Sequence, residues 1–343
     1  MEGANDMSTI KTVSLFCGCG GMDIGLVGGF EYIGNHYKTN PYDIVHASDF
    51  DKYPIDIYNN NFKHKAEVLD ITKTSPTDYP DHDLLIGGFP CQSFSIVAQN
   101  PPRLGYKDNK GKLFFKMCDI LKEKQPRAFI AENVKGILSA NNGKALPLVL
   151  EGFKESGYYV DYKLINSADF GVPQKRERVF IVGFKNLNDY ENFKFPKQSV
   201  EQYTPLKEVL EPAENIDQKY YFSNKAVAGM EKVRAKMNKG RVQNPDLPSN
   251  TVTSHLAKSS LNSTDPVLYS NGKYRRYTPT EVKRIQSFPD SFQLVGSETR
   301  VYQSLGNAVP PVVMWHISRA LNDALTYRKD EITSNNDIEV LEV

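Results

Sequence analysis

The sequence predicts an α/β protein: a doubly wound parallel sheet that carries a second, smaller and irregular region. Three observations predict it. Short apolar runs alternate with helical patterns through the first half of the chain. Those runs end in glycine or in acidic residues. The alternation then dissolves near Asn186, and helical spacing returns at Thr278. Strands alternating with helices imply parallel βαβ units, with the crossovers lying on both faces of one sheet.

The elements follow in order. "TVSLFCG" is a strand that ends in glycines, and "DIVHASDF" is a second strand that ends in an acid. "DLLIGGFP" and "RAFIAENV" are two more. Residues 113–124, "LFFKMCDILKEK", and the stretch around "ALPLVLEGFKESG" carry apolar groups at helical spacing. "YYVDYKLINSADFGVP" and "RERVFIVGF" form a pair of strands. From about Asn186 to Tyr274 the chain is rich in Asn, Lys, Pro and Ser and keeps no period. That is too long for a plain loop, so a small domain is expected there. Thr278 is expected to cap a helix ahead of Pro279 and Glu281, and "SLGNAVPPVVMWHISRALNDAL" closes the fold. The expected organisation is a large domain over 8–185, a small one over 186–274 and a return to the large domain over 275–328. Residues 1–7 and 329–343 are expected to be polar, flexible tails.

Composition narrows the class. The 343 residues are 40% hydrophobic and 24% charged, ordinary values for a soluble globular chain. No apolar run approaches the ~20 residues of a membrane helix, and no signal-peptide pattern opens the chain. No membrane partner is expected, and the expected location is cytoplasmic. Cys17, Cys19, Cys91 and Cys118 are too few and too irregular for a disulfide framework. Cys17-x-Cys19 lacks the second ligand pair of a zinc site, so no metal is expected. A net charge of +1 neither supports nor excludes a nucleic-acid partner; where the charge sits decides that.

The glycine turn after the first strand, "LFCGCGGMDIG", has the wrong spacing for a pyrophosphate clamp, which needs G-x-G-x-x-G. Its tight glycines, Gly18, Gly20 and Gly21, still let backbone approach a ligand closely. Asp49, which ends the second strand 28 residues after Gly21, can accept hydrogen bonds from ribose hydroxyls. Phe50 beside it can cover an adenine face, and Asp70-Ile71 offers a third contact. A nucleoside cofactor without a pyrophosphate fits, and S-adenosylmethionine is the obvious one. Packing alone could also explain such a turn.

Three further pieces bear on the chemistry. Pro90-Cys91 follows one strand, "AENV" ends the next, and "QKRER" opens a later one. The carboxyl ends of parallel strands share one edge, which brings Cys91 and Glu132 towards a common ligand. Taken singly, each has a plainer role. Cys91 could be a buried inert thiol, Glu132 a capping carboxylate, and Arg176 and Arg178 part of a solvated charged run.

Taken together, the residues resemble the DNA cytosine-C5 methyltransferase family. The resemblance runs in the family's order through "FCGCGG", "SDFDKY", "LDIT", "GGFPCQSFS", "AENV", "QKRER", "RRYTPTEVKRIQSFPDSF" and "SLGNAVPPVV". It implies a Rossmann-like, S-adenosylmethionine-dependent methyltransferase sheet domain and a small target-recognition domain flanking a DNA cleft. It also implies transfer of a methyl group to C5 of a flipped-out cytosine, with S-adenosylhomocysteine as product. On this resemblance Cys91, aimed by Pro90, is the nucleophile that adds to C6, because C5 becomes reactive only as part of an enamine. Glu132 is the acid at N3, Arg178 holds O2, and Arg176 supports the thiolate and a nearby phosphate. Asn133 shapes the loop behind Cys91. For the cofactor, similarity assigns Phe16, Gly18, Gly20 and Gly21 to the turn, Asp49 and Phe50 to ribose and adenine, and Asp70 and Ile71 to the adenine edge. Leu113, Asn307 and Ala308 fall at the methionine end.

The same resemblance places double-stranded DNA as the partner of a monomer. It also suggests a bacterial or phage restriction–modification setting, with a cognate restriction endonuclease acting on the same site. Residues 99–127 hold eight basic against three acidic side chains, and 231–284 hold eleven against four. Such excesses suit phosphate neutralisation. Ser95 just before the first stretch, Arg103, Lys107 and Lys112 within it, and Thr251 and Thr253 within the second are the candidate DNA contacts. A transfer-RNA methylating branch with the same chemistry carries Cys-Phe-Thr, and none of the four cysteines here precedes Phe-Thr. A nicotinamide oxidoreductase is disfavoured by the glycine spacing. A non-catalytic DNA-binding relative is disfavoured because every catalytic position is filled.

Overall fold

The structure is a computed structural model. Its described residues are 9–90, 111–234, 241–258, 265–270 and 272–326.

The main sheet among them is built from β1 (Ile10–Leu15), β2 (Tyr42–Asp49), β3 (Glu67–Val68), β4 (Leu84–Gly88), β5 (Ala128–Val134), β6 (Tyr159–Asn166) and β7 (Glu177–Phe184). The seven strands lie in the order β3-β2-β1-β4-β5-β7-β6. Neighbouring strands from β3 to β5 run parallel. In contrast, β7 is antiparallel to both β5 and β6. The parallel part is the expected one, and β7 makes the sheet mixed.

Sheet position explains the strand sequences. Leu84, Leu85 and Ile86 of β4 are fully buried, as a central strand covered on both faces requires. Alternate residues then point to opposite layers. Leu84 and Ile86 join one core with Leu26, Val312, Met314, Ile317 and Leu321. Leu85 joins a second with Phe114, Met117, Leu121, Val149 and Phe153. The helices carrying these residues are α1 (Gly21–Val27), α3 (Gly111–Lys124), α4 (Ala145–Glu155) and, far along the chain, the closing helix Pro311–Thr326, while α2 (Lys52–Asn61) adds Ile55 and Tyr58 to the first core. The closing helix and α1 cover one face, and α3 and α4 cover the other. The sheet is doubly wound.

Beyond β7 come α5 (Leu187–Asn192), a series of one-turn helices and α6 (Asn224–Arg234). The short strand Ser249–Asn250 pairs in parallel with Gln174–Lys175, next to β7. A third core joins Leu206, Val209, Val252, Leu256 and Leu268 of this middle region to Val282, Ile285, Val301, Tyr302 and Leu305. The latter belong to α7 (Pro279–Ile285) and α8 (Glu298–Asn307), which precede the closing helix α9 (Pro311–Thr326). The start of α7 is set by the expected cap. The Thr278 hydroxyl accepts from the Glu281 amide at 3.1 Å, and the Glu281 carboxylate accepts from the Thr278 amide at 2.9 Å. The same carboxylate takes both terminal nitrogens of buried Arg275 at 2.7 Å, so the cap is also an ion pair.

One buried acid stands beneath the glycine turn. Asp23 of α1 is 0% exposed and accepts from the Ser14 hydroxyl at 3.0 Å and the Tyr58 hydroxyl at 3.1 Å. Burial pushes its pKa up to about 6, against the pull of those two hydrogen bonds. The sign follows from linkage: a raised pKa contributes stability below the ordinary carboxylate range, and that contribution is lost as pH climbs through about 6. Asp23→Asn carries no charge at any pH. Its stability relative to the parent is expected to rise by an amount on the order of 2 kcal/mol between pH 4 and pH 8, measured by denaturant unfolding at both. A pH-independent difference would contradict the assignment.

Candidate active site

The carboxyl ends of β1, β2, β4 and β5 open onto one cavity of about 1130 Å³. Its floor is the turn after β1. Phe16 and Gly18 both sit at φ 54° and Gly20 at φ 92°, all in the left-handed region. For Phe16 such a conformation costs on the order of 1 kcal/mol, held by its surroundings. A side chain at Gly20 would meet the Phe62 ring at 2.3 Å, and one at Gly21 the Val309 carbonyl at 2.2 Å. The glycines therefore let the turn lie against both α2 and the chain entering α9.

Asp49 fixes this turn from β2. One carboxylate oxygen accepts from the Gly18 amide at 3.0 Å and the other from the Asp51 amide at 2.9 Å. Burial raises its pKa, opposed by these backbone donors. Each oxygen keeps a further lone pair for a ligand hydroxyl. Phe50, 74% exposed, presents its ring at the cavity. Asp70 accepts from the Thr72 amide at 3.1 Å and hydroxyl at 2.7 Å, and Lys73 lies 3.4 Å away. The Thr72 hydroxyl leads in holding its pKa low.

Of the sequence-derived cofactor positions, Phe16, Gly18, Gly21, Asp49, Phe50, Asp70, Ile71, Leu113, Asn307 and Ala308 all line the cavity. Gly20 stands behind the wall, and the Ile71 side chain is packed in the core. Sequence reasoning missed Pro54, Lys73, Gln303 and Ser304, which line it too. Gln303 was within reach: it precedes Asn307 by four residues, which places both on one face of α8.

Pro90, Glu132 and Asn133 line the same cavity. Gly88 pairs with Glu132 in register, and a side chain there would sit 3.1 Å from a Glu132 carboxylate oxygen. Arg178 Nε lies 3.0 Å from Glu132 Oε1, with the two side chains 15% and 12% exposed. Burial raises the Glu132 pKa, while Arg178 and then Arg176 pull it down; the net direction is up. Asn133 donates from Nδ2 to the Phe89 carbonyl at 2.9 Å, and its Oδ1 accepts from the Val134 amide at 2.9 Å. It thereby pins the backbone one residue before Pro90.

Arg176 does not line the cavity. It is 1% exposed, and its two terminal nitrogens donate to the carbonyls of Val252 at 3.2 Å and Gly306 at 3.1 Å. Each terminal nitrogen thus gives one N–H to backbone, while the buried Nε has no partner among the described residues. The Thr251 hydroxyl donates to the Lys175 carbonyl at 2.8 Å. The Thr253 hydroxyl donates to Asp265 at 2.6 Å, and that carboxylate opposes a phosphate at the same place. Thr251 is the better placed of the two. Cys91, Ser95, Arg103 and Lys107 lie outside the described residues, as does the side chain of Lys112. Among the described residues no cluster of His, Cys, Asp and Glu could hold a metal ion, and no helix is long and apolar enough to cross a membrane.

The site therefore joins an acid with free lone pairs and an exposed aromatic ring to a buried Glu–Arg pair, across one cavity. Comparison with known proteins supplies the family. Over 316 residues the chain is 38% identical to the Type II methyltransferase M.NgoBI of Neisseria gonorrhoeae, an alignment covering 88% of this chain and 90% of that protein. It is 34% identical over 328 residues to M1.ScrFI, a Type II methyltransferase of Lactococcus lactis subsp. cremoris, covering 93% and 79%. The solved structure of the Entamoeba histolytica methyltransferase EhMeth shares the fold with a TM-score of 0.75 at 18% identity, over 94% of this chain and 100% of that one. The match to the family described as C-5 cytosine-specific DNA methylase spans residues 10–323. It takes in the sheet, the cavity and the returning helices alike, and the chain belongs to that family of methyltransferases.

Proposed function

We propose that this chain is a site-specific enzyme that methylates C5 of a cytosine flipped out of duplex DNA, using S-adenosylmethionine and a transient bond from Cys91 to C6. The observation that carries the proposal is the single cavity that Asp49, Phe50 and Asn307 share with Pro90, Glu132 and Asn133. A nucleoside end and a reacting end then lie on one sheet edge.

The residues fit that cofactor. Asp49 has lone pairs to accept from ribose hydroxyls, the exposed Phe50 ring offers an adenine face, and Asn307 offers donors to a carboxylate. When bound, S-adenosylmethionine supplies an electrophilic methyl sulfonium. Cys91, which follows Pro90 in sequence, adds as the thiolate to C6, and the electron pair of the C5–C6 double bond moves towards N3. Glu132 as the neutral acid donates a proton to N3, a state its raised pKa favours. Arg178, beside Glu132, offers its remaining N–H groups to O2. C5 then takes the methyl group. S-adenosylhomocysteine is the leaving group of that transfer; loss of the C5 proton to a base, expulsion of the thiolate and return of the N3 proton to Glu132 restore the aromatic ring and the enzyme.

Asn133 serves by position, since its bond to the Phe89 carbonyl sets the chain that leads into Pro90 and Cys91. A target base within a duplex must leave the stack to meet these groups. The middle region, with Thr251 at its inner margin, is the proposed target-recognition unit. Being Type II methyltransferases, the two bacterial relatives support a restriction–modification setting. In it the enzyme works as a cytoplasmic monomer beside an endonuclease that reads the same site.

Incubation of a mixed-sequence duplex library with methyl-labelled cofactor is expected to yield 5-methylcytosine at one short sequence, and transfer RNA is expected to stay unlabelled. No 5-methylcytosine in any sequence would defeat the proposal. An oligonucleotide with 5-fluorocytosine at the mapped position, which has no C5 proton to lose, is expected to remain attached to Cys91. Glu132→Gln is expected to lower kcat by about 10²- to 10⁴-fold. Because the working form of Glu132 is the protonated one and its pKa is raised, the parent's kcat should fall as pH rises through that pKa. The variant should lose this alkaline limb; a limb that persists would assign the titration to another group.

A further inference from the structure

Arg176 and Gln174 belong to a run of charged and polar residues, yet both are buried, at 1% and 0% exposed. Together they hold the backbone of one residue, Val252, at both its amide and its carbonyl. The Val252 amide donates to Gln174 Oε1 at 2.9 Å, while the Val252 carbonyl accepts from Arg176 at 3.2 Å. Val252 lies between Thr251 and Thr253, on the side of the molecule proposed to meet DNA. The other terminal nitrogen of Arg176 reaches the Gly306 carbonyl at 3.1 Å. Gly306 immediately precedes Asn307 and Ala308, which line the cavity.

The two carbonyls belong to segments that also touch directly. A side chain at Gly306 would lie 2.3 Å from the Thr253 carbonyl group, so the last turn of α8 is pressed against the threonine segment without a gap. Gln286 ties the far side, donating to the Leu305 carbonyl and to the Ala308 carbonyl at 3.3 Å, while its own Oε1 accepts from Gln174 at 2.7 Å. Burial and the neighbouring Arg178 both work against the Arg176 charge, and Glu132 works for it. The guanidinium is therefore within electrostatic reach of the reacting end as well.

We propose that Arg176 is the positioning residue through which DNA binding at the Thr251–Thr253 segment and cofactor binding at Gly306–Asn307 reinforce each other. A planar guanidinium with both terminal nitrogens engaged cannot follow one segment without releasing the other. Neither carbonyl has water at hand when released, since the site is buried. Ordering of either segment by its ligand therefore biases the other towards the same arrangement. Such coupling is reciprocal by thermodynamic necessity. The inference rests on the function proposed above.

The test uses the full chain, S-adenosylhomocysteine and a duplex carrying the mapped methylation site. In the parent, the duplex should tighten S-adenosylhomocysteine binding, and S-adenosylhomocysteine should tighten duplex binding by the same factor. Arg176→Lys keeps the charge but is a single point donor that cannot bridge two carbonyls. It is expected to reduce that factor by about five-fold or more, with affinity for S-adenosylhomocysteine alone changed by less than that. A merely structural arginine would shift both binary affinities and leave the factor intact, and that result overturns the proposal. Should the variant fail to fold, hydrogen exchange on the parent decides. Duplex binding without cofactor should slow exchange in a peptide spanning residues 300–309, and unchanged exchange there overturns the proposal. If neither ligand binds the parent, the functional reading fails instead; if both bind independently, only the coupling does.

Discussion

The antiparallel setting of β7 between β5 and β6 is the constraint on which the site depends. It aligns Arg178 with Val134 and Phe180 with Glu132. Arg178 and Glu132 thus become diagonal neighbours on one face of the sheet, a separation that long side chains span. A parallel β7 would have sent its opening residues to the far edge. Because β7 runs the other way, its amino end meets the carboxyl ends of β4 and β5, and the guanidinium arrives where the acid and the Pro90 turn already stand. The run before β7 profits from the same geometry. Gln174–Lys175 pairs with Ser249–Asn250, which draws the middle region onto this edge of the sheet.

Much of this was legible in the sequence, for identifiable reasons. The β1, β2, β4 and β5 strands announce themselves as apolar runs stopped by glycine or acid, because buried central strands tolerate little else. The Thr278-Pro279-Glu281 cap is local chemistry and reads directly. The direction of β7 did not, since hydrophobic runs carry no polarity. The burial of Arg176 was not legible, because it is decided by carbonyls 76 and 130 residues away. Thr253 looked like a free hydroxyl until Asp265 was seen to take it. The middle region offered no period because its core is shared: Val252 and Leu268 pack with Tyr302 and Leu305 of a helix that comes much later.

The carboxylates around the cavity show how one sheet edge gives similar groups different duties. Asp70 is held low by its bonds to Thr72 and Lys73 and stays ionised at the rim. Asp49 is pushed up by burial but restrained by two backbone donors, so its oxygens are oriented and partly spent. Asp23 sits deepest, with two hydroxyl donors and a weaker backbone one, and its pKa is pushed up to about 6. Depth and donor type, rather than residue identity, sort the three. The rim acid and the oriented acid can face a ligand, while the deep one braces the turn beneath it.

Glu132 is the fourth case, and its environment is divided against itself. Burial favours the neutral acid, while Arg178 and Arg176 favour the carboxylate. With only one of these influences the group would be locked, either as a permanent acid or as half of an inert ion pair. The two arginines therefore limit how far burial raises the group. The two arginines are not equivalent in this balance. Arg178 pairs directly at 3.0 Å and keeps donors for a substrate oxygen, whereas Arg176 acts from a distance and is committed to the backbone on two sides. A shift in the segments that Arg176 joins would therefore alter the field at Glu132 without touching it.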